Sequence, residues 1–481
     1  MKVKTINRSE EAFTRERAQD VQKVHHNLDP ALHPFEKAVE YTRALQAGTF
    51  QFMLTNFPRH CRCRHLSQYT HFFLLLFSTV KLDRIFAKPF VASFAHDDGV
   101  TCLARNPRRL NSLLSGSADG EIRLWDVPAR RCLRRLVGHT AAVRGISITP
   151  DGEACVSASI DCTVKLWKVP FAPFDGGPIQ EDSHPVLEFS GANAFLGVDH
   201  HWQRMQFVTA GAAVDLWDHT RSEPVSTFSW GSDTVTSARF NPAEPDLFAT
   251  TGSDRGIALY DLRASAPVRK LMMQTKSNAV AWNPMEPLNF TVASEDSCLY
   301  TYDMRKMQSA SCVHRDFVSA VMDVDYSPTG REFVAASYDR SIRIFKYNGG
   351  HSREVYHTKR MQRVFASRFS GDGSYVFSGS DDMNVRVWKA EASAQMGVQL
   401  PRERQAMQYN KALVERHKHL SEVKRINRHR QLPKPLHKAT KLRKTMEDSE
   451  RRKLRNKVAH SAPGSVDIKP IRKKKIVAEL E

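Results

Sequence analysis

One aromatic position recurs through this 481-residue chain at a spacing that few folds accommodate. It is filled by Trp125, Trp167, Trp217, Tyr260, Tyr302, Phe345 and Trp388, at intervals of 42, 50, 43, 42, 43 and 43 residues. The surrounding words, such as EIRLWDV, TVKLWKV and NVRVWKA, alternate apolar and polar residues, the mark of a half-buried strand. Six residues before most of these aromatics stands an aspartate in a turn: Asp119, Asp161, Asp254, Asp296, Asp339 and Asp382. The third repeat has Gly211 instead and follows the longest interval, which leaves its boundaries open. Further short β-rich runs lie upstream of each aromatic, many closing on a proline-bearing turn.

This pattern resembles the WD-repeat family, in which a period near 40–45 residues marks a four-stranded propeller blade. The resemblance covers residues 89–389 and implies an all-β, seven-bladed propeller. A propeller must close, because an open sheet edge invites misassembly. The chain leaves the sheet soon after Trp388, so PFVASFA (89–95) is expected to supply the outer strand of the seventh blade.

The first two repeats carry polar sets that resemble the family's buried network: His96, Ser115, Asp119 and Trp125, then His139, Ser157, Asp161 and Trp167. A buried indole N–H and imidazole need partners, so these sets read as structural. Ser, His and Asp together also suggest hydrolytic chemistry, but no nucleophile elbow accompanies them and the set recurs with the repeat. No glycine-rich phosphate loop, paired carboxylates or metal box emerges, so we expect no enzyme, no cofactor, no metal and no small-molecule substrate.

Charge is unevenly distributed. The net charge is +19, and residues 391–481, with 24 Lys/Arg and 10 Asp/Glu, carry +14 of it. Such a tail suggests a polyanion partner. Residues 402–431 and 437–459 have few helix breakers and read as two helices, separated by Pro433 and Pro435. Leu442, Met446, Leu454 and Val458 give the second only a thin apolar stripe, so it is expected to dock on the ring or on RNA. Candidate phosphate contacts are Lys424, Arg425, Arg428, Arg430, Arg451, Arg452, Lys453, Arg455, Arg472, Lys473, Lys474 and Lys475. The same clusters also fit nuclear localisation signals.

The flanks sharpen the family. NLDPALHPFEKAVEYTRALQA and KLDRIFAKPFVASF precede the ring, GVDHHW (197–202) lies in the third repeat, and KRINRHRQLPK and HSAPGSVDIKP follow the ring. Together they resemble the WD-repeat and SOF-domain family over residues 1–47 and 81–481. That resemblance implies a nucleolar scaffold of the small-subunit processome, associated with U3 small nucleolar RNP and needed for pre-rRNA cleavages leading to 18S rRNA. The partners implied are pre-rRNA or U3 RNA together with processome proteins.

A second surface points elsewhere. Tyr260-Asp261-Leu262-Arg263 and Tyr302-Asp303-Met304-Arg305 look like the doubled aromatic-Asp-x-Arg boxes of propellers that dock on the adaptor of cullin–RING ubiquitin ligases. On that resemblance Asp261, Arg263, Asp303 and Arg305 would bind the adaptor. The alternative is that each Asp–Arg pair only closes its turn.

The domain reading is therefore a lead at 1–47, an atypical segment at 48–80, the propeller at 81–389 and the basic helical SOF-like region at 390–481. The segment 48–80 contains no acidic residue and ends in the apolar run Phe72 to Phe77, far shorter than the roughly 20 residues a membrane span needs. We read it as a retained intron, expected to be poorly packed, with a surface loop as the alternative. His60, Cys61, Cys63 and His65 within it fit no standard zinc spacing. The eight cysteines are scattered, and the polar N-terminus reads as no secretory signal, so free thiols in a reducing compartment are expected.

Overall fold

Alternation within each repeat gives a strand one side chain toward the preceding sheet and the next toward the following sheet, so the sheets stack on both faces. The computed structural model describes residues 76–480 apart from 78, 82–84, 86, 170–179, 183, 230–232, 265, 430, 463–464 and 467–469. The chain divides into two compact units, residues 87–395 with 430–481, and residues up to 86 with 396–429.

The larger unit contains seven sheets, each built on four antiparallel strands. Blade 4, for example, is Val235–Phe240, Leu247–Gly252, Gly256–Asp261 and Pro267–Met273, and blade 5 is Ser277–Trp282, Asn289–Ser294, Leu299–Asp303 and Cys312–His314. The outer strand of blade 7 is Phe90–Ala95, paired antiparallel with Asn384–Lys389, so the first strand of the ring locks the last sheet. This is a seven-bladed propeller followed by a helical C-terminal region.

Seven apolar clusters occupy the seven seams between neighbouring sheets. The repeating aromatic of each blade lies at the seam with the blade before it, and none is more than 5% exposed. Trp125 closes the ring, packing with Phe94, Phe377 and Val387 of blade 7. A large rigid ring buried at every seam is the main apolar contribution to closure, worth on the order of 2–3 kcal/mol each.

The turn aspartates have a common geometry. The residue after each has φ between 63° and 93°: Gly120, Cys162, Arg255, Ser297, Arg340 and Met383. In five of these turns the aspartate Oδ1 accepts the N–H two residues on, at 2.8–3.0 Å, from Glu121, Thr163, Gly256, Cys298 and Ser341. The carboxylate holds the left-handed residue in place, which explains why side chains other than glycine occupy a strained position there. Blade 3 turns more tightly, with the Gly211 N–H donating to the Ala213 carbonyl.

The long second interval, from Trp167 to Trp217, arises in blade 2, not in blade 3. Blade 3 is regular, from Gly197–His200 to Ser226–Phe228. The additional residues lie between Thr163–Lys168 and the outer strand Leu187–Ser190, and Gln180–Asp182 among them pairs parallel with Arg131–Leu136 as a fifth strand of blade 1.

The C-terminal region departs from two long helices. It forms α1 (Pro401–Arg416), α2 (Ser421–Arg428) and α3 (Lys434–Ala459). The helix expected over 402–431 breaks between α1 and α2. In an unbroken helix Leu413 and Val423 would stand about 15 Å apart along the axis. The turn brings both into one small core with Leu76, Phe77 and Val80 in the smaller unit. Proline 435 does not separate helices but sits in the first turn of α3, where no backbone N–H is required. The lead at 1–47 and residues 48–75 lie outside the described residues. At the end of the 48–80 segment the packing is not poor, since Leu76 is fully buried and Val80 is 3% exposed.

Candidate interaction surfaces

The polar set of blade 2 forms a continuous relay. Trp167 Nε1 donates to Ser157 Oγ (2.9 Å), Ser157 Oγ meets His139 Nε2 (2.7 Å), and His139 Nδ1 meets Asp161 Oδ2 (2.8 Å). Blade 1 stops short. Trp125 Nε1 and His96 Nε2 both reach Ser115 Oγ at 2.6 Å, but Asp119 stays with the Glu121 N–H and His96 Nδ1 has no partner. The reason is local. Blade 2 has Thr163 two residues after its aspartate, where blade 1 has Glu121, and Glu121 pairs with Arg123 at 2.6 Å. Burial drives the His96 pKa down to about 3.

Comparison between blades shows what the serine does. Ser115, Ser157, Thr209 and Ser378 each accept an indole N–H, from Trp125, Trp167, Trp217 and Trp388. In register, Tyr302 and Phe345 have Val292 and Ala335 at that position. In blades 5 and 6, where no indole N–H needs an acceptor, the hydroxyl is missing, whereas blade 4 keeps Thr250 beside Tyr260, its hydroxyl turned to the Ala258 carbonyl. Ser115 and Ser157 have no accessible surface, so they satisfy the tryptophan and are closed to a substrate.

The paired boxes lie on the face that carries the loops from first to second and third to fourth strands. Arg263 is 77% and Arg305 64% exposed at the side chain. They are held differently. Arg305 forks onto its own Asp303, at 3.1 Å from Nε and 2.9 Å from Nη2, which holds the Asp303 carboxyl below its usual range. Arg263 pairs instead with Asp246 of the loop before it, and Asp261 Oδ1 accepts the Arg263 backbone N–H (3.0 Å). In both boxes the carboxylate lies beneath and the guanidinium points outward.

This face is stapled from blade to blade, a feature the sequence reading missed. Asn106, Asn241 and Asn283 each donate from Nδ2 to a loop carbonyl of the following blade, on Gly152, Pro287 and Gly330, at 2.9–3.2 Å. Each Oδ1 also accepts backbone N–H groups of its own loop. The signal was present in the Asn-Pro words at 106–107, 241–242 and 283–284.

In the tail, α3 lies along the opposite face, among turns that carry Ser297 and Phe317. Arg443 is its anchor, donating to Ser297 Oγ (2.5 Å), the Phe317 carbonyl (2.6 Å) and Glu447 Oε1 (3.2 Å). No residue of α3 is fully buried, and Leu442 and Met446 are more than half exposed. Arg451, Arg452, Lys453 and Arg455 are all exposed on α3, as are Lys434, Lys438, Lys441, Lys444 and Lys457, with Arg451 near Glu447 and Asp448. Lys424, Arg425 and Arg428 are exposed on α2, where Arg425 meets Glu422 at 3.2 Å; Arg430 lies outside the described residues.

The chain end is fixed by its backbone. The Arg472 carbonyl accepts the Ala310 N–H (3.1 Å) and the Lys475 carbonyl accepts the Gln274 N–H (3.0 Å). Ile476–Leu480 then pairs antiparallel with Pro267–Met273 as a fifth strand of blade 4. The four basic side chains 472–475 are thus pinned along blades 4 and 5, with Arg472, Lys473 and Lys474 exposed and Lys475 half-buried. This strand was not expected, although the alternating word IVAEL carries its signal.

Among the described residues no cluster of three metal-ligating side chains occurs, and Cys102, Cys132, Cys155, Cys162, Cys298 and Cys312 are free thiols. Residues 60–65 lie outside the described residues. Among the described residues no helix is long and apolar enough to cross a membrane.

Residues 390–476 match the Sof1-like domain, and residues 88–126, 130–168, 310–346 and 350–389 match the WD domain, G-beta repeat. The chain is 45% identical to DDB1- and CUL4-associated factor 13 of Danio rerio over the whole of both proteins, and 43% identical to the Homo sapiens protein of that name. It is 41% identical to Protein SOF1 of Saccharomyces cerevisiae, over 95% of this chain and 91% of that one.

Proposed function

The chain belongs to the Sof1-like WD-repeat family, and from that membership we propose that it is a non-enzymatic scaffold of ribosome biogenesis, a component of the small-subunit processome in the nucleolus that is required for processing pre-rRNA to 18S rRNA. The observation that carries this reading is the basic Sof1-like region fastened to the propeller at two places, by Arg443 and by the strand Ile476–Leu480. Clusters at 451–455 and 472–475 then present cations from an ordered support, suited to phosphate contacts with pre-rRNA or U3 RNA. Depletion followed by northern analysis of pre-rRNA tests it. Accumulation of uncleaved precursors and loss of 18S rRNA is the expected result, and intact processing would overturn the reading. Crosslinking to RNA with peptide mapping should recover peptides from 402–475, with binding that weakens steeply as salt rises.

A second reading has its own observation, the exposed pair Arg263 and Arg305 on neighbouring blades. Several relatives are named DDB1- and CUL4-associated factor 13, and the paired arginines support docking on such an adaptor as a substrate receptor. Arg263→Ala with Arg305→Ala should abolish co-purification of the adaptor with the ring still folded. Unchanged recovery would sink this second reading.

A further inference from the structure

The word GVDHHW has served only to mark the family so far, yet its residues converge on the face of the paired boxes. Asp199 takes the Arg239 guanidinium (3.1 Å) and the Phe240 N–H (2.9 Å), fastening blade 3 to blade 4. His201, fully buried, donates from Nε2 to the Pro245 carbonyl (2.9 Å) and accepts the Gln203 and Arg204 N–H groups at Nδ1, both at 2.9 Å. One imidazole therefore shapes the turn after it and ties that turn to the loop that carries Asp246. The turn exposes residues 202–205, and two of them are held in place by neighbours. Trp202, 40% exposed, is stacked on His201 with the planes 6° apart. Arg204, 47% exposed at the side chain, pairs with Asp246 at 2.9 Å, the same carboxylate that holds Arg263.

We propose that the His201 turn extends the box surface onto a third blade, so that Trp202 and Arg204 contact the same partner as Arg263 and Arg305, an acidic protein surface with an apolar recess. The proposal rests on the second reading above.

Charge supports an acidic partner. Asp246 is 11% and Asp303 23% exposed at the side chain, whereas the three arginines they hold are 47–77% exposed. The carboxylates lie below and orient the guanidinium groups, and what a partner meets is cation. Two arginines share Asp246, and both guanidinium groups are far more exposed than the carboxylate that holds them. Apolar content supports a protein over a nucleic acid. Met285, 67% exposed, stands in the blade 5 loop that Asn241 staples to blade 4, so the strip offers Trp, Met and Arg together, the composition of protein interface centres. The staples hold the loops before binding, which lowers the ordering cost.

The test uses the full-length protein and the purified adaptor, with affinities measured for Trp202→Ala, Arg204→Ala, Arg263→Ala and Arg305→Ala. Thermal unfolding of each variant checks that these exposed substitutions leave the fold intact. The expected result is about a tenfold or greater loss for Trp202→Ala and for Arg204→Ala. A less than additive loss is expected for Arg204→Ala with Arg263→Ala, because both act through Asp246. If the box variants lose binding while Trp202→Ala and Arg204→Ala stay within about twofold of the parent, the extension is wrong and the box reading stands. If no variant changes adaptor binding, the box reading fails and the extension with it. Selective loss of single-stranded RNA binding by the four variants, with adaptor binding unchanged, would overturn the proposal in favour of nucleic acid.

Discussion

Arg443 of α3 donates to the hydroxyl of Ser297, and Ser297 is the left-handed residue that follows turn Asp296. The propeller's own turn geometry thus supplies the acceptor that fixes the C-terminal region. Arg443→Ala should remove about 1.5–3 kcal/mol of docking free energy, the usual worth of hydrogen bonds to a charged group. Hydrogen exchange should rise across 434–459 while the ring keeps its denaturant midpoint. Arg443→Lys should not restore protection, because one ammonium cannot reproduce donors spread over three nitrogens, Nε to Glu447, Nη1 to Ser297 and Phe317, and Nη2 to Cys298. Protection unchanged in Arg443→Ala would show that other contacts hold α3.

Ser157→Ala should cost about 1–3 kcal/mol, because it leaves the Trp167 N–H and a His139 nitrogen unpaired in a dry seam. Ser157→Ala with Trp167→Phe removes both ends of the bond and should recover part of that loss; blade 6 carries the same combination, Ala335 with Phe345. Urea unfolding of the two variants checks the sign of this coupling, and strict additivity would contradict it.

Gly120 has φ of 93°, and a Cβ there would stand 2.5 Å from the His139 carbonyl oxygen. Gly120→Ala should therefore destabilise blade 1 by about 1–3 kcal/mol through backbone strain alone, before the steric clash is added. Arg340→Gly, in a turn of the same geometry at φ 65°, should be near neutral, as relief of strain offsets the greater freedom of the unfolded chain. Equal thermal shifts for the two would refute the turn model.

Acid should weaken the propeller through its buried histidines. Burial holds His96 at about 3, and His200 and His314 at about 4, against an ordinary value near 6.5. Their folded values are depressed, so the unfolded chain binds protons that the folded chain refuses. Stability is complete above pH 6.5 and is lost as pH falls toward 4, at up to about 1.4 kcal/mol per pH unit for each histidine. Denaturant midpoints at pH 7 and pH 5 measure the slope, and a flat profile would mean these rings remain accessible to protons.

Deleting Ile476–Glu481 should uncover the edge of Pro267–Met273, where Leu271 and Met273 are buried beneath it. Exposed edges template pairing with other chains. The truncated protein should exchange faster at 270–273 and self-associate on size-exclusion chromatography, whereas Lys473→Ala should do neither.

Residue spacing alone determined the ring. Seven recurring aromatics, the aspartate six residues before most of them and the alternating words specify seven strand sets, because each depends only on residues close in sequence. The closing strand 90–95 followed from counting strands. Tertiary structure decided matters of contact between distant residues. It joined Asp161 to His139 yet separated Asp119 from His96, since one neighbour, Thr163 or Glu121, redirects the local charges. It broke the first tail helix so that Leu413 and Val423 could share a core with Leu76, and laid the chain end on blade 4, more than 200 residues from its partner strand. It also gathered Arg204 and Arg263 onto Asp246, and no local pattern encodes that convergence, because it exists only once the blades are packed side by side.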